Sequence, residues 1–274
     1  MNAPAQVLDN PSHTSSSFLQ DESSSPQSPS NPTSAVIFEH VTKRFGNTTA
    51  VDNVSLTIPS GSFITIIGSS GCGKTTLLKM VNALVIPDEG RVLVQGRDTT
   101  SVNPIELRRN IGYSIQGSVL FPHLSVQQNI AYVPSLLNKR DQRRTNAAVD
   151  KWMDIVGLPA NIRNRFPAEL SGGQAQRVGI ARALAASPDL LLMDEPFSSV
   201  DAITRGDLQD EVKRIHEQTG ITILFVTHDI DEALNLGDKV LVMEGGRIAQ
   251  FAIPSDVVRF PATDFVERLV SRKP

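Results

Sequence analysis

The sequence has almost no cysteine: Cys72 is the only one in 274 residues. An internal disulfide is therefore excluded, and a cytoplasmic setting is allowed. There is no excess of positive charge either. With 26 Lys and Arg against 29 Asp and Glu, the formal net charge is −3, which removes the electrostatic argument for a nucleic-acid partner. Long apolar runs are missing as well; none approaches the ~18 residues of a membrane-spanning helix. The first residues lack the basic start and apolar centre of a secretory signal. If the chain serves a membrane process, another chain is expected to span the membrane. What remains is ordinary for a soluble globular protein: 40% hydrophobic and 20% charged residues. At this length that suits one large α/β domain, alone or with a small subdomain.

Residues 1–34 are rich in Ser, Pro, Asn and Gln, with scattered apolar positions. Such a segment cannot bury enough surface to offset its ordering entropy, so it reads as a disordered tail. A regulatory or docking arm is the functional alternative. Beyond it, residues 35–42, 51–58, 91–94 and 111–115 read as strands. Phe45 falls in the turn between the first two; its ring could stack on a base or pack in the sheet, and the pattern slightly favours packing. Asn103-Pro104 looks like an N-cap with proline at N1. Ser125 and Gln128 form a capping box, and residues 141–156 have helical periodicity. Residues from about 117 to 170 therefore read as a helical subdomain inserted in an α/β core.

The most informative stretch is Gly68-Ser69-Ser70-Gly71-Cys72-Gly73-Lys74-Thr75-Thr76. It fits G-x-x-x-x-G-K-[ST], with an apolar β-branched strand before it (residues 62–67) and a helix opening after it. Glycines let several backbone N–H groups point into one concavity, and the helix N-terminus adds roughly half a positive charge. Lys74 is placed to reach the β- and γ-phosphates, and the Thr75 hydroxyl to bind Mg²⁺. A solvated lysine on a Gly/Ser turn is the plain alternative; the flanking strand and helix argue against it. Cys72 sits where a thiolate is favoured, and thiol alkylation is expected to block the loop by bulk.

Leu190-Leu191-Leu192-Met193-Asp194-Glu195 is a continuous apolar run ending in two acids. It suits a strand buried on both faces of a parallel sheet, with the acids at the carboxyl end where α/β proteins bind ligands. Residues 221–226 repeat the pattern and end at Thr227-His228-Asp229. A lone histidine is usually structural, but one at such a strand end, beside a phosphate loop and paired acids, points to function. Gly245-Gly246 reads as a hairpin turn. Short helices are expected from about Ser255 and Ala262. Ser171 and Gln174 make a second S-x-x-Q cap, before a helix expected over 175–186. Taken alone, that is an ordinary capped helix.

Together these segments resemble the ATPase subunits of ATP-binding cassette (ABC) transporters over roughly residues 35–270. The resemblance rests on residues 68–76 (Walker A), Gln116 (Q-loop) and Leu170-Ser171-Gly172-Gly173-Gln174 (the LSGGQ signature). It rests equally on Asp194-Glu195 (Walker B and catalytic acid), Ser198-Ser199-Val200-Asp201 (D-loop) and His228 (switch histidine), all in the family's order. It implies an α/β P-loop NTPase cassette with a RecA-like parallel-sheet core, an antiparallel β subdomain and a helical subdomain. It implies ATP and Mg²⁺ as ligands, with the nucleotide on residues 68–76 and Phe45, and Mg²⁺ held by Thr75, Gln116 and Asp194 (through water). Glu195, His228 and Gln116 become the catalytic set. Two cassettes are expected to pair head to tail, as a homodimer or with a homologous ATPase. Ser171, Gly172, Gly173 and Gln174 would then act on the partner's nucleotide, with the D-loop residue Asp201 between the sites. The expected partners are permease subunits and, indirectly, a solute-binding protein, with the ATPase peripheral on the cytoplasmic face of the inner membrane.

A narrower likeness runs through residues 116–124, 129–137 and 225–234. It is similar to the importer ATPases for the quaternary-amine osmoprotectants glycine betaine, choline and carnitine. Phe45 replaces the family's usual stacking Tyr, and Ser199-Val200 its usual Ala-Leu. The regulatory CBS modules of many such ATPases have no counterpart up to Pro274, so sensing by them is not expected. Other import or lipid-trafficking ATPases of this fold are the nearest alternative. A DNA- or ribosome-acting ABC ATPase fits less well, because no heptad run separates Lys74 from Ser171 and there is a single cassette.

Overall fold

The computed structural model describes residues 34–115, 120–138, 141–198 and 200–271. The disordered-tail reading and the Gln116 and Ser199 assignments fall outside or almost wholly outside them.

The described chain opens with two long strands, β1 (Ser34–Phe45) and β2 (Thr48–Pro59), followed by β3 (Phe63–Gly68) and helix α1 (Lys74–Val81). Next come β4 (Glu89–Val94), β5 (Arg97–Asp98), α2 (Pro104–Arg109) and β6 (Ile111–Ser114). Three helices follow, α3 (Val126–Leu137), α4 (Gln142–Ile155) and α5 (Gly172–Leu184). The order then runs β7 (Leu190–Asp194), α6 (Ala202–Thr219), β8 (Thr222–Val226), α7 (Ile230–Leu236) and β9 (Lys239–Glu244). The last elements are β10 (Arg247–Ala252), α8 (Pro254–Arg259) and α9 (Asp264–Ser271).

The strands form two sheets. One is antiparallel, in the order β2-β1-β4-β5. The other has the order β10-β9-β3-β8-β7-β6 and is parallel except at β10, which turns back on β9 through Gly245-Gly246. β3, β7 and β8 are buried at every position, as expected of strands covered on both faces. Their side chains divide by the period of two. Ile64, Ile66, Leu190, Leu192, Leu224 and Val226 join the cluster under α1 and the antiparallel sheet. Phe63, Leu191, Met193, Ile223 and Phe225 join the cluster under α4, α5 and α6. A third cluster packs β9 and Ile67 against α7, α8 and α9.

Helix ends follow their caps. Asn103 Oδ1 accepts from the Ile105 amide at 2.9 Å ahead of Pro104, and Ser125 with Gln128 closes the box on α3. One expectation is corrected: α5 begins at Gly172, not Ala175, because Ser171 is its N-cap and both glycines lie in its first turn. Helix α6 lies where no element was expected.

Register then builds the site. Asp194 pairs with Val226 and Val226 with Ile66. The carboxyl ends of β7, β8 and β3 therefore stand side by side, each leading straight into a segment with polar side chains.

Candidate functional site

The loop after β3 fits between two other chain segments. Gly68 has φ +157°, and a Cβ there would overlap the Met243 carbonyl oxygen and lie 2.7 Å from Cys72 Sγ. Gly73 has φ +101°, and its Cβ would overlap the Ala50 carbonyl oxygen. Both positions exclude side chains, which keeps the loop backbone close to β2 and β9. Gly73 is also the N-cap of α1 and gives it no side-chain cap. The helix therefore opens with amide donors that no cap claims, at the positive end of its dipole. Ser69, Ser70 and Gly71 are exposed and Thr76 is half-buried. Cys72 is buried in the core under α1, which corrects the expectation of a thiol open to alkylation.

Lys74 is 7% exposed, and its Nζ donates to the carbonyl oxygens of Gly68 (2.9 Å) and Ser69 (3.0 Å). The ammonium is thus folded over the loop. Thr75 Oγ1 donates to Asp194 Oδ1 at 2.9 Å, joining the first turn of α1 to the end of β7. Burial raises the Asp194 pKa, against the Thr75 hydrogen bond and the charge of Lys79. These two oxygens suit a hard cation, since Mg²⁺ takes few protein ligands and completes its shell with waters and phosphates.

Glu195 has φ +45°, a left-handed conformation that costs a non-glycine residue and collects at functional sites. Its amide donates to the Val226 carbonyl (3.0 Å), and its own carbonyl accepts from Ser198 Oγ (3.0 Å). The turn sends the carboxylate towards the next strand end, where Oε2 lies 3.4 Å from His228 Nδ1. The His228 side chain is 62% exposed, so the pair faces open space above the strands. The structure thus brings together residues 68–76, Asp194, Glu195 and His228.

It does not bring the signature residues to them. Ser171 Oγ accepts from the Gln174 amide (3.2 Å) and Gln174 Oε1 from the Ser171 amide (3.1 Å). Ser171 and Gly172 are exposed. Among the described residues no hydrogen bond or ion pair links residues 170–174 to the phosphate loop. Asp201 N-caps α6, and the Thr204 amide bonding to it holds its carboxyl below the usual range. Phe45 is 52% exposed with Lys43 Nζ 5.5 Å from its ring centroid. It is therefore not packed into the sheet, as the sequence pattern slightly favoured.

Several residues escaped the sequence reading. Tyr113 on β6 has its hydroxyl pKa pushed up to about 12 by burial and by the charge of Asp194. Glu232 is buried, accepting from Thr227 Oγ1 (2.5 Å) and Gln209 Nε2 (3.0 Å). Arg205 reaches both Val200 and Asp229. An acidic residue four after the histidine, in the first turn of a capped helix, was a readable signal for Glu232; Gln209 and Arg205 lay on the overlooked helix α6.

Comparison with known proteins agrees with this geometry. The family described as "ABC transporter" matches residues 51–198. The glycine betaine uptake system ATP-binding protein of Escherichia coli is 49% identical over 235 residues, covering 86% of this chain and 76% of that protein. The carnitine transport ATP-binding protein of Listeria monocytogenes is 46% identical over 244 residues, covering 86% of this chain. The present chain spans only 61% of that relative's length. A sulfate/thiosulfate import ATP-binding protein of Chromobacterium violaceum is also 46% identical, over 228 residues, covering 83% of this chain and 61% of its own. Among solved structures, a dimeric ATP-binding cassette bound to ADP and Pi superposes with a TM-score of 0.71 at 31% identity, covering 80% of this chain and 98% of its own. The strand-end site and these likenesses lead to one assignment: the chain belongs to the ABC transporter family.

Proposed function

We propose that this chain binds ATP with Mg²⁺ and hydrolyses it as the ATP-binding subunit of an importer. The observation that carries the reading is the row of strand ends: phosphate loop on β3, Thr75–Asp194 across to β7, and Glu195–His228 between β7 and β8. Phosphoryl transfer needs positioning and charge stabilisation more than covalent chemistry. Lys74 leaves its two carbonyl partners to meet the β- and γ-phosphates, and the uncapped amides of α1 meet the same anion. Thr75 and, through water, Asp194 would hold Mg²⁺, with Gln116 as the remaining candidate. When bound, the ion neutralises phosphate charge as a Lewis acid. Glu195 accepts the proton of the attacking water as general base. His228, within reach of Glu195, donates towards the γ-phosphate.

The signature residues complete the partner's site in a head-to-tail pair. Ser171 Oγ already accepts from Gln174 and still has its own hydroxyl proton to donate. The dimeric cassette among the structural neighbours supports this pairing. No described helix is long and apolar enough to cross a membrane, so separate permease subunits would carry the solute, with this chain peripheral on their cytoplasmic side. The solute we propose is a quaternary-amine osmoprotectant, supported by relatives named for glycine betaine, carnitine and choline. The test is ATPase activity of the chain reconstituted with its co-purifying membrane subunits. Binding proteins loaded with glycine betaine, choline, carnitine or sulfate are compared. Stimulation by a quaternary amine is expected; stimulation by sulfate alone would overturn the solute assignment while keeping the ATPase.

A further inference from the structure

The first turn of α6 touches three segments that the proposed reaction uses. At its start, Asp201 caps the helix by accepting from the Thr204 amide at 3.0 Å. Thr204 Cγ2 lies 2.6 Å from where a Cβ on Gly173 would sit, so the signature turn rests on this helix. Arg205 then reaches in two directions. Its Nη2 donates to the Val200 carbonyl oxygen at 3.1 Å, inside the D-loop. Its Nη1 lies 3.6 Å from Asp229 Oδ2. The Nε is buried with no hydrogen-bond partner among the described residues, so the inner end of the guanidinium is held away from water.

Asp229 directly follows His228 and uses its two oxygens separately. Oδ1 accepts from the Asp231 (2.9 Å) and Glu232 (3.1 Å) amides and caps α7. Oδ2 faces Arg205. On the other side of His228, the Thr227 amide donates to the Ile66 carbonyl (3.1 Å), and Thr227 Oγ1 donates to Glu232. The imidazole is itself largely exposed, so its aim is set by how its two neighbours are held. Thr227 is fixed to the sheet; Asp229 is fixed to α7 and, through Arg205, to the D-loop.

We propose that Arg205 is a positioning residue, a tie between the D-loop carbonyl of Val200 and the carboxylate of Asp229 that holds the His228 segment in register with the D-loop. The proposal deepens, and rests on, the ATPase reading. A guanidinium can span both acceptors, whereas a lysine ammonium offers a single point charge to one of them. Movement of the D-loop against a second cassette is then passed to His228 of the same chain.

The test uses the full-length protein and two independent readouts. Hydrogen exchange is followed by mass spectrometry in wild type, Arg205→Ala, Arg205→Lys and Asp229→Asn. The asparagine keeps a good N-cap for α7 and removes only the charge facing Arg205. Exchange at residues 229–232 is expected to accelerate in all three variants, with β3 and β7 unchanged. Turnover is expected to fall about tenfold in Arg205→Ala, short of the ~10² that misplacement near reacting atoms can reach. KM for ATP should stay within about threefold, since ground-state binding is untouched. Arg205→Lys should be intermediate, and Arg205→Ala/Asp229→Asn no slower than Arg205→Ala, because once Arg205 is gone the Asp229 charge has no contact left to lose. Unaltered exchange at 229–232, or additive losses in the double variant, overturns the tie. Should Arg205→Ala not fold, Arg205→Lys and Asp229→Asn decide by the same readouts. A wild type without turnover overturns the ATPase reading and the positioning role with it, while the exchange data still report whether the contact exists.

Discussion

Two helix N-termini in this molecule differ in how they are finished. At α1, Gly73 supplies no cap, the lysine folds over the loop, and the flanking strands leave no space for side chains. At α5, Ser171 and Gln174 cap each other and the turn stands exposed. The first is a helix end without a side-chain cap behind a glycine loop held close to β2 and β9, which is the condition of an anion site. The second has its local hydrogen bonds made, Ser171 and Gln174 capping each other on an exposed turn. On the proposed pairing, its hydroxyl proton and its dipole would serve the partner's nucleotide. The contrast is what the proposed head-to-tail pairing would require, with one chain giving half of each of two sites, and each end can be altered separately.

The largest expected effect lies beside the first end. Glu195→Gln keeps the shape of the side chain and removes a negative charge near the phosphates. Turnover is expected to fall ~10²–10⁴-fold, the usual worth of a general base, while ATP binding persists and an ATP-bound dimer accumulates on a sizing column. Near-normal turnover would remove Glu195 from the mechanism. Next in size is Lys74→Ala. Its ammonium offsets phosphate charge before and during reaction, so nucleotide affinity should drop at least about tenfold together with hydrolysis. Unchanged affinity in a direct titration would mean that Lys74 serves only its two carbonyl partners.

The smallest effect concerns stability. Burial raises the Asp194 pKa, so the ionised carboxylate costs the metal-free protein stability. That cost is absent below the ordinary carboxylate range and grows as pH rises through the raised value. Asp194→Asn removes the charge and can keep the acceptor for Thr75 Oγ1. In chelator at neutral pH it should melt slightly higher than wild type, yet lose Mg²⁺-dependent turnover. A lower melting temperature would show that the charge is compensated in the folded state.

Much of the first end was legible in the sequence, because G-x-x-x-x-G-K-[ST] states backbone geometry directly and the fully apolar runs of β7 and β8 state burial directly. The left-handed turn at Glu195 was not, since nothing in the residue type announces a positive φ. Helix α6 was missed although its signals were present: Asp201 as N-cap, Gly220 at φ +64° as C-cap, and Leu208, Val212 and Ile215 as its buried stripe. Its mean polarity hid that stripe, and with it the contacts of Arg205 and Gln209. Phe45 was misjudged because an alternating pattern cannot show that the strand pair ends there, with the ring beyond the core.

The central claim is that the capped end acts on another chain's nucleotide, and Ser171→Arg tests it most directly. Nucleotide affinity and turnover are measured on the same folded preparation. If the turn were only structural, the change would cost about 1 kcal/mol of helix stability and little else. The expected result is ATP affinity within about threefold of wild type, because the donors at residues 68–76 are untouched, together with loss of ATP-dependent dimerisation and of hydrolysis. Normal hydrolysis by correctly folded Ser171→Arg protein would contradict the account.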